Sequence, residues 1–212
     1  MRIIKDPEVR KTEILDTAER LFVTKGYNKT TIVDILSRLD IAKGTFYYYF
    51  KSKEEVMDAI IRRTVGMMAS AAKKIAADNS LPVFAKLLQI IFSMNVKSKS
   101  GEKDITDQFH QPENAEIHQK SLVLSIQHLA PVLAEVVAQG IREKVMSVEY
   151  PRETVELLLT CAIVIFDEGL FRWEDEVLAL KVNAFINMAE AALGTEKGAL
   201  GEMVRLLNEP RG

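Results

Sequence analysis

The 212-residue chain is 48% hydrophobic and 27% charged, the composition of an ordinary globular protein with room for one compact domain or two small ones. We expect a cytoplasmic protein, because no apolar run approaches the roughly 18–20 residues of a membrane span, the charged N-terminus lacks a secretory apolar segment, and the only cysteine, Cys161, cannot form an intramolecular disulfide. The net charge of −2 is uneven, since residues 1–53 carry 11 Lys and Arg against 7 Asp and Glu while the remainder carries 17 against 23, as expected where one end of a chain meets phosphate.

Helical periodicity runs through the whole chain, and strand signals are nearly absent. The first predicted helix runs from Pro7 to Lys25, because proline is tolerated in a first turn where its missing N–H costs nothing. Gly26 then follows in the usual C-cap position. The pattern therefore predicts an all-α fold that opens with a well-delimited helix.

A second helix is predicted to begin at Thr31, which forms a capping-box pair with Asp34. After a short break at 40–42, a third helix covers Lys43 to Tyr49. A capped helix, a three-residue turn and a short helix have the geometry that places a recognition helix in the major groove of DNA. This segment therefore predicts a helix-turn-helix.

The remaining helices form a longer C-terminal part. Ser52 and Glu55 predict a second capping box, which begins a helix reaching about Asn79. An exposed polar loop is expected at 97–107. Further helices are predicted at about Pro82–Val96, Glu113–Lys144 with a kink or break at Pro131, Pro151–Gly169 and Glu174–Leu193.

The short third helix is rich in aromatic residues, and only some of them can face inward. Phe46 and Phe50 are four residues apart and share one face, so we expect them to pack inward with Tyr49 beside them. Polar groups reach base edges, and hydroxyl and ammonium groups hold phosphates. The residues left facing outward, and thus candidates for DNA contact, are Lys43, Thr45, Tyr47 and Tyr48.

Four other positions are expected to favour DNA contact. Gly44 lets the third helix approach the DNA backbone without side-chain bulk. The helix N-termini at Thr31 and Ser52 offer N–H groups to phosphate oxygens. Lys53 adds positive charge beside the second of these N-termini.

At these residues the sequence resembles the TetR family of bacterial regulators, over roughly Thr12 to Ala59. The resemblance implies a homodimer whose two recognition helices bind a near-palindromic operator and are released by a small-molecule effector. It also implies a helix-turn-helix domain at 1–53 and a larger helical ligand-binding and dimerisation domain at 54–212. The sequence departs at Asp40, where the family has glycine, but aspartate tolerates a left-handed turn. The matching residues are Ile14, Leu15, Ala18, Leu21, Phe22, Gly26, Tyr27, Thr30, Thr31, Asp34, Ile35 and the run from Lys43 to Glu55. The DNA-contacting set that the resemblance implies is Thr31, Lys43, Thr45, Tyr47, Tyr48 and Lys53.

The resemblance also implies a dimer interface and a ligand pocket in the C-terminal part. In the family the last two long helices of each subunit pair with those of its partner, which here are about 151–169 and 174–193. Their apolar stripes are Val155, Leu158, Leu159, Ala162, Ile163 and Phe166, then Val182, Phe185, Ile186 and Ala189. Candidate ligand-binding residues are Phe92, Asn95, Phe109, Leu124, His128 and Phe166.

Less specific interpretations remain for several of these residues. The aromatic run could be ordinary core, Lys43 and Lys53 could be solvated, and the ligand candidates could be packing residues. His128 could be an interior histidine. Cys161 is expected to be buried filler in an apolar helix.

The sequence predicts a binding protein, without a catalytic site, a metal or a cofactor. The histidines and glutamates of 110–118 lack zinc-site spacing, so we predict no metal and no cofactor. No nucleophile–base pair or phosphate loop supports an enzyme. Two alternative functions are a sequence-independent architectural DNA-binding protein and a small-molecule-binding helical bundle with incidental DNA affinity.

Overall fold

The computed structural model describes residues 6–94, 105, 108 and 110–201, and these residues form helices and connecting turns without any strand. A turn of 3-10 helix, Pro112–Asn114, precedes the sixth α-helix. The all-α prediction is therefore confirmed. In chain order the α-helices are α1 (Pro7–Lys25), α2 (Ile32–Leu39), α3 (Lys43–Tyr49), α4 (Lys53–Ala76), α5 (Val83–Met94), α6 (Ala115–Arg142), α7 (Pro151–Ile165) and α8 (Asp175–Leu193).

Helix α1 has the predicted bounds, and its ends show why. The Asp6 carboxylate accepts hydrogen bonds from the backbone N–H groups of Glu8 and Val9, at 2.9 and 3.4 Å. At the other end Gly26 has a φ of 92°, a left-handed value that glycine adopts without steric cost. Its N–H donates to the carbonyl of Phe22. The predicted start at Pro7 and the predicted end before Gly26 are therefore confirmed, and Asp6 adds an N-cap that was not predicted.

Helix α4 ends three residues earlier than predicted, because two local interactions stop it. The Ala76 carbonyl accepts a hydrogen bond from the ammonium of Lys86, a fully buried side chain, at 2.8 Å. The carboxylate of Asp78 then accepts the backbone N–H of Ser80 at 2.9 Å, which forms a turn that competes with the helix. The predicted end at Asn79 is wrong for this reason.

Helix α6 runs through Pro131 without the break that was one of the two predicted outcomes. Proline removes one hydrogen bond from the helix interior, but the neighbouring side chains of Leu129, Val132 and Val136 are 0%, 1% and 2% exposed. Their burial holds the helix together across the proline. By length and composition α6 could cross a membrane, yet these side chains belong to an apolar core, so we interpret it as a core helix.

Helix α7 ends at Ile165, short of the predicted Gly169. The Asp167 carboxylate accepts the N–H groups of Gly169 and Leu170, at 2.7 and 3.0 Å, and this turn replaces the last helical turn. Helix α8 begins one residue after the predicted start and is capped by Gly194, whose φ is 61°. A Cβ at Gly194 would lie 2.3 Å from the carbonyl oxygen of Ser147, so glycine is required there.

The described residues group into two compact units. One contains 6–64 and the described residues of 97–121, and the other contains 65–94 and 122–201. The first unit holds the predicted helix-turn-helix. In the second, side chains of α4 to α8 form one apolar core, which includes Ala72, Val83, Leu133, Val155 and Leu193.

Candidate nucleic-acid interface and apolar surface

Helix α3 separates its aromatic residues into a buried and an exposed set. Phe46 and Phe50 are 0% and 2% exposed, with ring centroids 6.1 Å apart. Tyr47 and Tyr48 are 43% and 77% exposed. Tyr49 is half-buried and packs edge-on against Tyr48. The inward orientation of the two phenylalanines was predicted, and the run is therefore not simply core.

The exposed side of α3 carries one positive charge and open space. The Lys43 ammonium lies 5.7 Å from the centre of the Tyr47 ring, within reach of a cation–π interaction. A Cβ at Gly44 would meet nothing within 4 Å, so the protein itself does not require glycine there. Thr45 is half-buried. This side can present a hydroxyl, an ammonium and two phenols to another molecule.

The start of α2 has the predicted capping box. The N–H of Thr31 donates to the Asp34 carboxylate at 2.7 Å, and the N–H of Asp34 donates to the Thr31 hydroxyl oxygen at 3.2 Å. The Lys25 ammonium contacts the same carboxylate at 2.6 Å. The hydrogen bond from Lys25, followed by those from Thr31, lowers the pKa of Asp34 to about 2. Thr31 thus fixes the end of the helix from which its N–H groups can face a phosphate.

The turn between α2 and α3 passes through Asp40, which has φ 51° and ψ 52°. This is the left-handed conformation expected for aspartate in place of the family's glycine. The N–H of the next residue, Ile41, donates to the carbonyl of Leu36 at 3.2 Å. Asp40 therefore adopts the left-handed conformation that was predicted for this turn.

Lys53 is held by the loop between α1 and α2. Its ammonium donates to the carbonyl oxygens of Tyr27 and Thr30, at 2.9 and 3.1 Å, and lies 4.3 Å from the centre of the Tyr27 ring. Burial, and next the negative charge of Glu54, raise the pKa of the Tyr27 phenol. Lys53 therefore positions α4 against this loop, a role that the sequence analysis missed.

The first turn of α4 is capped much as predicted. The N–H of Glu55 donates to the hydroxyl oxygen of Ser52 at 3.2 Å. The Glu55 carboxylate accepts the N–H of Lys51 at 2.5 Å, one residue before the partner in a standard capping box. Lys51 and Ser52 thus lie beside a second ordered helix N-terminus.

The predicted ligand-binding residues are only partly described. Asn95, Phe109 and the side chain of Phe92 lie outside the described residues. Leu124 and Phe166 are half-buried, and the Phe166 ring packs edge-on against Phe185 with centroids 5.6 Å apart. The interpretation of His128 as an interior histidine is wrong for the described chain, because its side chain is exposed.

Of the ten residues in the apolar stripes predicted for the dimer interface, three lie in the core of their own unit and seven are half-buried. Val155, Leu159 and Ala189 are each 5% exposed and belong to the core of their own unit. Large apolar side chains on other sides of the same two helices remain exposed, among them Leu157 at 74% and Leu180 at 70%. Both helices carry apolar residues on more than one side. The spacing of apolar residues therefore could not distinguish the side that faces the core from the side that is exposed.

Cys161 lies on the exposed side of α7, one turn after Leu157. The prediction that it is buried is therefore wrong. Helix α7 is apolar on more than one side, so apolar neighbours in the sequence do not show that a residue is buried. The thiol of Cys161 lies on the exposed side.

Two family descriptions match this chain. Residues 14–60 match the bacterial regulatory proteins of the tetR family, and residues 97–188 match the tetracyclin repressor-like C-terminal domain.

The regulator YhgD of Bacillus subtilis is 28% identical over 168 residues, which is 79% of this chain and 85% of YhgD. The repressor KstR2 of Rhodococcus jostii is 43% identical over 53 residues, 25% of this chain and 26% of KstR2. The regulator YerO of Bacillus subtilis is matched over 24% of its length. The chain thus spans about a quarter of YerO and KstR2.

Solved structures share the fold. The crystal structure of RolR with the ligand resorcinol superposes with a TM-score of 0.59 at 16% identity, covering 96% of this chain and 95% of RolR. A TetR-family regulator from Mesorhizobium loti gives a TM-score of 0.60 at 14% identity, covering 89% of this chain and 98% of that one. At such identities the likeness concerns the fold alone.

Proposed function

This chain belongs to the TetR family of bacterial transcriptional regulators, and from that premise we propose that it is a cytoplasmic repressor that binds a near-palindromic operator as a homodimer and is released by a small molecule. Residues 1–53 are its DNA-binding domain, and 54–212 its effector-binding and dimerisation domain. The observation that carries the proposal is the division of α3 into a buried phenylalanine face and an exposed face that bears Tyr47 and Tyr48.

The exposed face of α3 supplies the DNA contacts. Tyr47 and Tyr48 present hydroxyl groups, Lys43 presents an ammonium, and Gly44 leaves open space beside them. Thr45 is half-buried and would contact DNA through its hydroxyl. Thr31 contributes through the helix N-terminus that it caps. Hydroxyl and ammonium groups on a short helix suit a major groove and its flanking phosphates.

Lys53 contributes less directly than the sequence suggests. Its ammonium already donates to the carbonyls of Tyr27 and Thr30, so it has fewer donors for a phosphate oxygen. We propose that it adds charge near the DNA backbone while it holds the loop between α1 and α2. Loss of Lys53 is thus expected to affect both stability and affinity.

The dimer forms through the exposed apolar side chains of α7 and α8. Leu157 and Leu180 are mostly exposed in one chain, and a partner subunit that covers them would remove their apolar surface from water. A two-fold interface through these helices buries the same patch of each subunit. In such a dimer two recognition helices about 34–36 Å apart enter successive major grooves on one side of the DNA.

Release follows from a shift in population between two dimer geometries. Both recognition helices must enter their grooves together, so a small change in their separation abolishes the match to the operator. RolR, which has the same fold, binds resorcinol, and KstR2 is a repressor. These relatives support a small organic effector and repression for this chain.

The experiment is selection of bound sequences from a random DNA pool, followed by affinity measurements on the selected site. We expect a palindromic sequence. Lys43→Ala and Tyr47→Ala are each expected to cost about 1–3 kcal/mol of operator binding. Tyr150→Ala is the matched control, because this tyrosine is exposed but lies at the start of α7.

Two outcomes would contradict the proposal. Selection that yields no preferred sequence, with diffuse protection of DNA, would indicate an architectural DNA-binding protein. Unchanged affinity of both α3 variants, with the fold intact, would show that DNA is bound elsewhere.

A further inference from the structure

The turn of 3-10 helix before α6 and the first turns of α6 bury three polar side chains. Asn114 ends the 3-10 turn, while His118 and Ser121 are three residues apart on one face of α6. The three residues are 4%, 6% and 8% exposed. All three belong to the compact unit that contains the helix-turn-helix. Buried polar groups are normally hydrogen-bonded, because burial removes their hydrogen bonds to water.

One atom in this group has no such partner. The Ser121 hydroxyl donates to the main-chain oxygen of His118 at 2.8 Å, and the Asn114 amide nitrogen Nδ2 donates to the main-chain oxygen of Gln108 at 2.7 Å. The amide oxygen Oδ1 of Asn114 is buried and accepts no hydrogen bond from the described residues. It is complementary to a group that can donate one.

We propose that Oδ1 of Asn114 is a recognition point for the effector, and that the effector is a small neutral molecule with a hydroxyl or N–H donor. This inference rests on the proposed function, because it places the effector of the same regulator. An amide oxygen carries no net charge, so it suits a neutral molecule that donates a hydrogen bond. The rings of His110 and His118 contact each other edge-on at 5.0 Å. The carboxylates of Glu113 and Glu116 are on exposed residues.

A chain of hydrogen bonds connects Asn114 to the helix-turn-helix. Asn114 holds the main chain of Gln108, and the side-chain oxygen Oε1 of Gln108 accepts the N–H of Tyr27 at 3.2 Å. The Tyr27 carbonyl in turn accepts the ammonium of Lys53 at 2.9 Å. All of these residues lie in one compact unit. A donor that attracts Oδ1 reorients the Asn114 amide, weakens its bond to Gln108, and loosens the loop that positions α2 and α3.

A second contact ties the same part of α6 to α4. The Lys120 ammonium lies 3.2 Å from the carboxylates of both Asp58, on α4, and Glu116. The contact is exposed, so it adds little energy by itself. Among the described residues, the part-buried hydrogen bonds of Gln108 give a more shielded connection from Asn114 to the loop.

The test measures binding of matched probe pairs to the full-length protein by calorimetry. The pairs are phenol with anisole and resorcinol with 1,3-dimethoxybenzene, in which the ether lacks the donor. We expect at least one hydroxyl compound to bind about tenfold or more tightly than its ether, and Asn114→Leu to abolish that preference. Gln119→Leu is the control, because Gln119 is exposed on α6.

Two further variants separate recognition from transmission, and cover the case in which Asn114→Leu does not fold. Asn114→Asp retains side-chain oxygens but lacks the Nδ2 donor, and Gln108→Leu removes the acceptor for Tyr27. Both are expected to bind the hydroxyl probe while the probe no longer lowers operator affinity. Because coupling is reciprocal, the ratio of probe affinities with and without operator reports it directly.

Several results would overturn the inference. They are equal binding of hydroxyl and ether in every pair, no binding of any hydroxyl probe, or an unchanged preference in Asn114→Leu. Full coupling in Gln108→Leu would refute the transmission. Operator binding without probes tests the proposed function separately: a wild-type protein that selects an operator but binds no probe contradicts this inference alone.

Discussion

Helix α3, the proposed recognition helix, and the helix pair α7–α8 both carry apolar residues, but the sequence predicts their orientation unequally well. In α3 the two phenylalanines, Phe46 and Phe50, are buried as expected. In α7 the predicted interface residue Val155 lies in the core of its own unit, while Leu157 is exposed. A helix with a single apolar face can be oriented from its periodicity. A helix with two apolar faces cannot be oriented in this way, because one face can pack in the core while the other is covered by a partner subunit.

The largest effect is expected inside α3, where a buried and an exposed aromatic residue can be compared. Phe46→Ala leaves a cavity at a fully buried site and should lower the free energy of unfolding by about 3–5 kcal/mol. Tyr48→Ala removes a side chain that is 77% exposed and should change stability by less than about 0.5 kcal/mol while it weakens operator binding. Chemical denaturation and fluorescence anisotropy measure the two quantities. Equal destabilisation by both would contradict the division of α3 into two faces.

The next largest effect concerns the exposed side of α7 and α8. Replacing Leu157 and Leu180 together by glutamate puts charges where two subunits should exclude water, so we expect a folded monomer. Operator affinity should then fall by about 100-fold or more, because the two half-sites are no longer bound together. Light scattering gives the oligomeric state. Val123→Glu is the control, since this residue is also exposed but lies on α6; a double variant that remains dimeric would place the interface elsewhere.

The smallest effect is expected at the cap of α2. Thr31→Ala should cost about 1 kcal/mol of stability, with Ser37→Ala, exposed on the same helix, as the control.

The pKa of Asp34 is lowered to about 2, first by the hydrogen bond from Lys25. A lowered pKa in the folded state means that the contribution of Asp34 is complete above its unfolded pKa near 4 and is lost as the pH falls towards 2. Asp34→Asn should therefore flatten the acid limb of the stability profile, and an unchanged limb would show that the ion pair is unimportant in solution.

Local rules account for the parts that the sequence predicted well. Pro7 and Gly26 bound α1, Thr31 caps α2, and Asp40 adopts the left-handed turn, because each depends on residues close in the chain. The exposed side of α3 also followed from its spacing. Whether the exposed residues contact DNA stays a prediction.

Contacts between distant segments account for the parts that it did not predict. The Lys53 ammonium is held by carbonyls 23 and 26 residues away, and no periodicity reports such a contact. The hydrogen bond from Tyr27 to Gln108 spans 81 residues. Cys161 was misplaced for a related reason, since only the folded core decides which side of α7 it covers.

Operator affinity as a function of half-site spacing tests most directly whether a dimer binds DNA through two copies of α3. A dimer that presents two copies of α3 requires half-sites about one helical turn, or 10–10.5 base pairs, apart. Inserting half a turn of DNA at the centre of the selected operator rotates one half-site to the opposite side of the duplex. We expect affinity to fall by about 100-fold or more, to a value close to the affinity for a single half-site. Equal affinity for the original and the lengthened operator would contradict it.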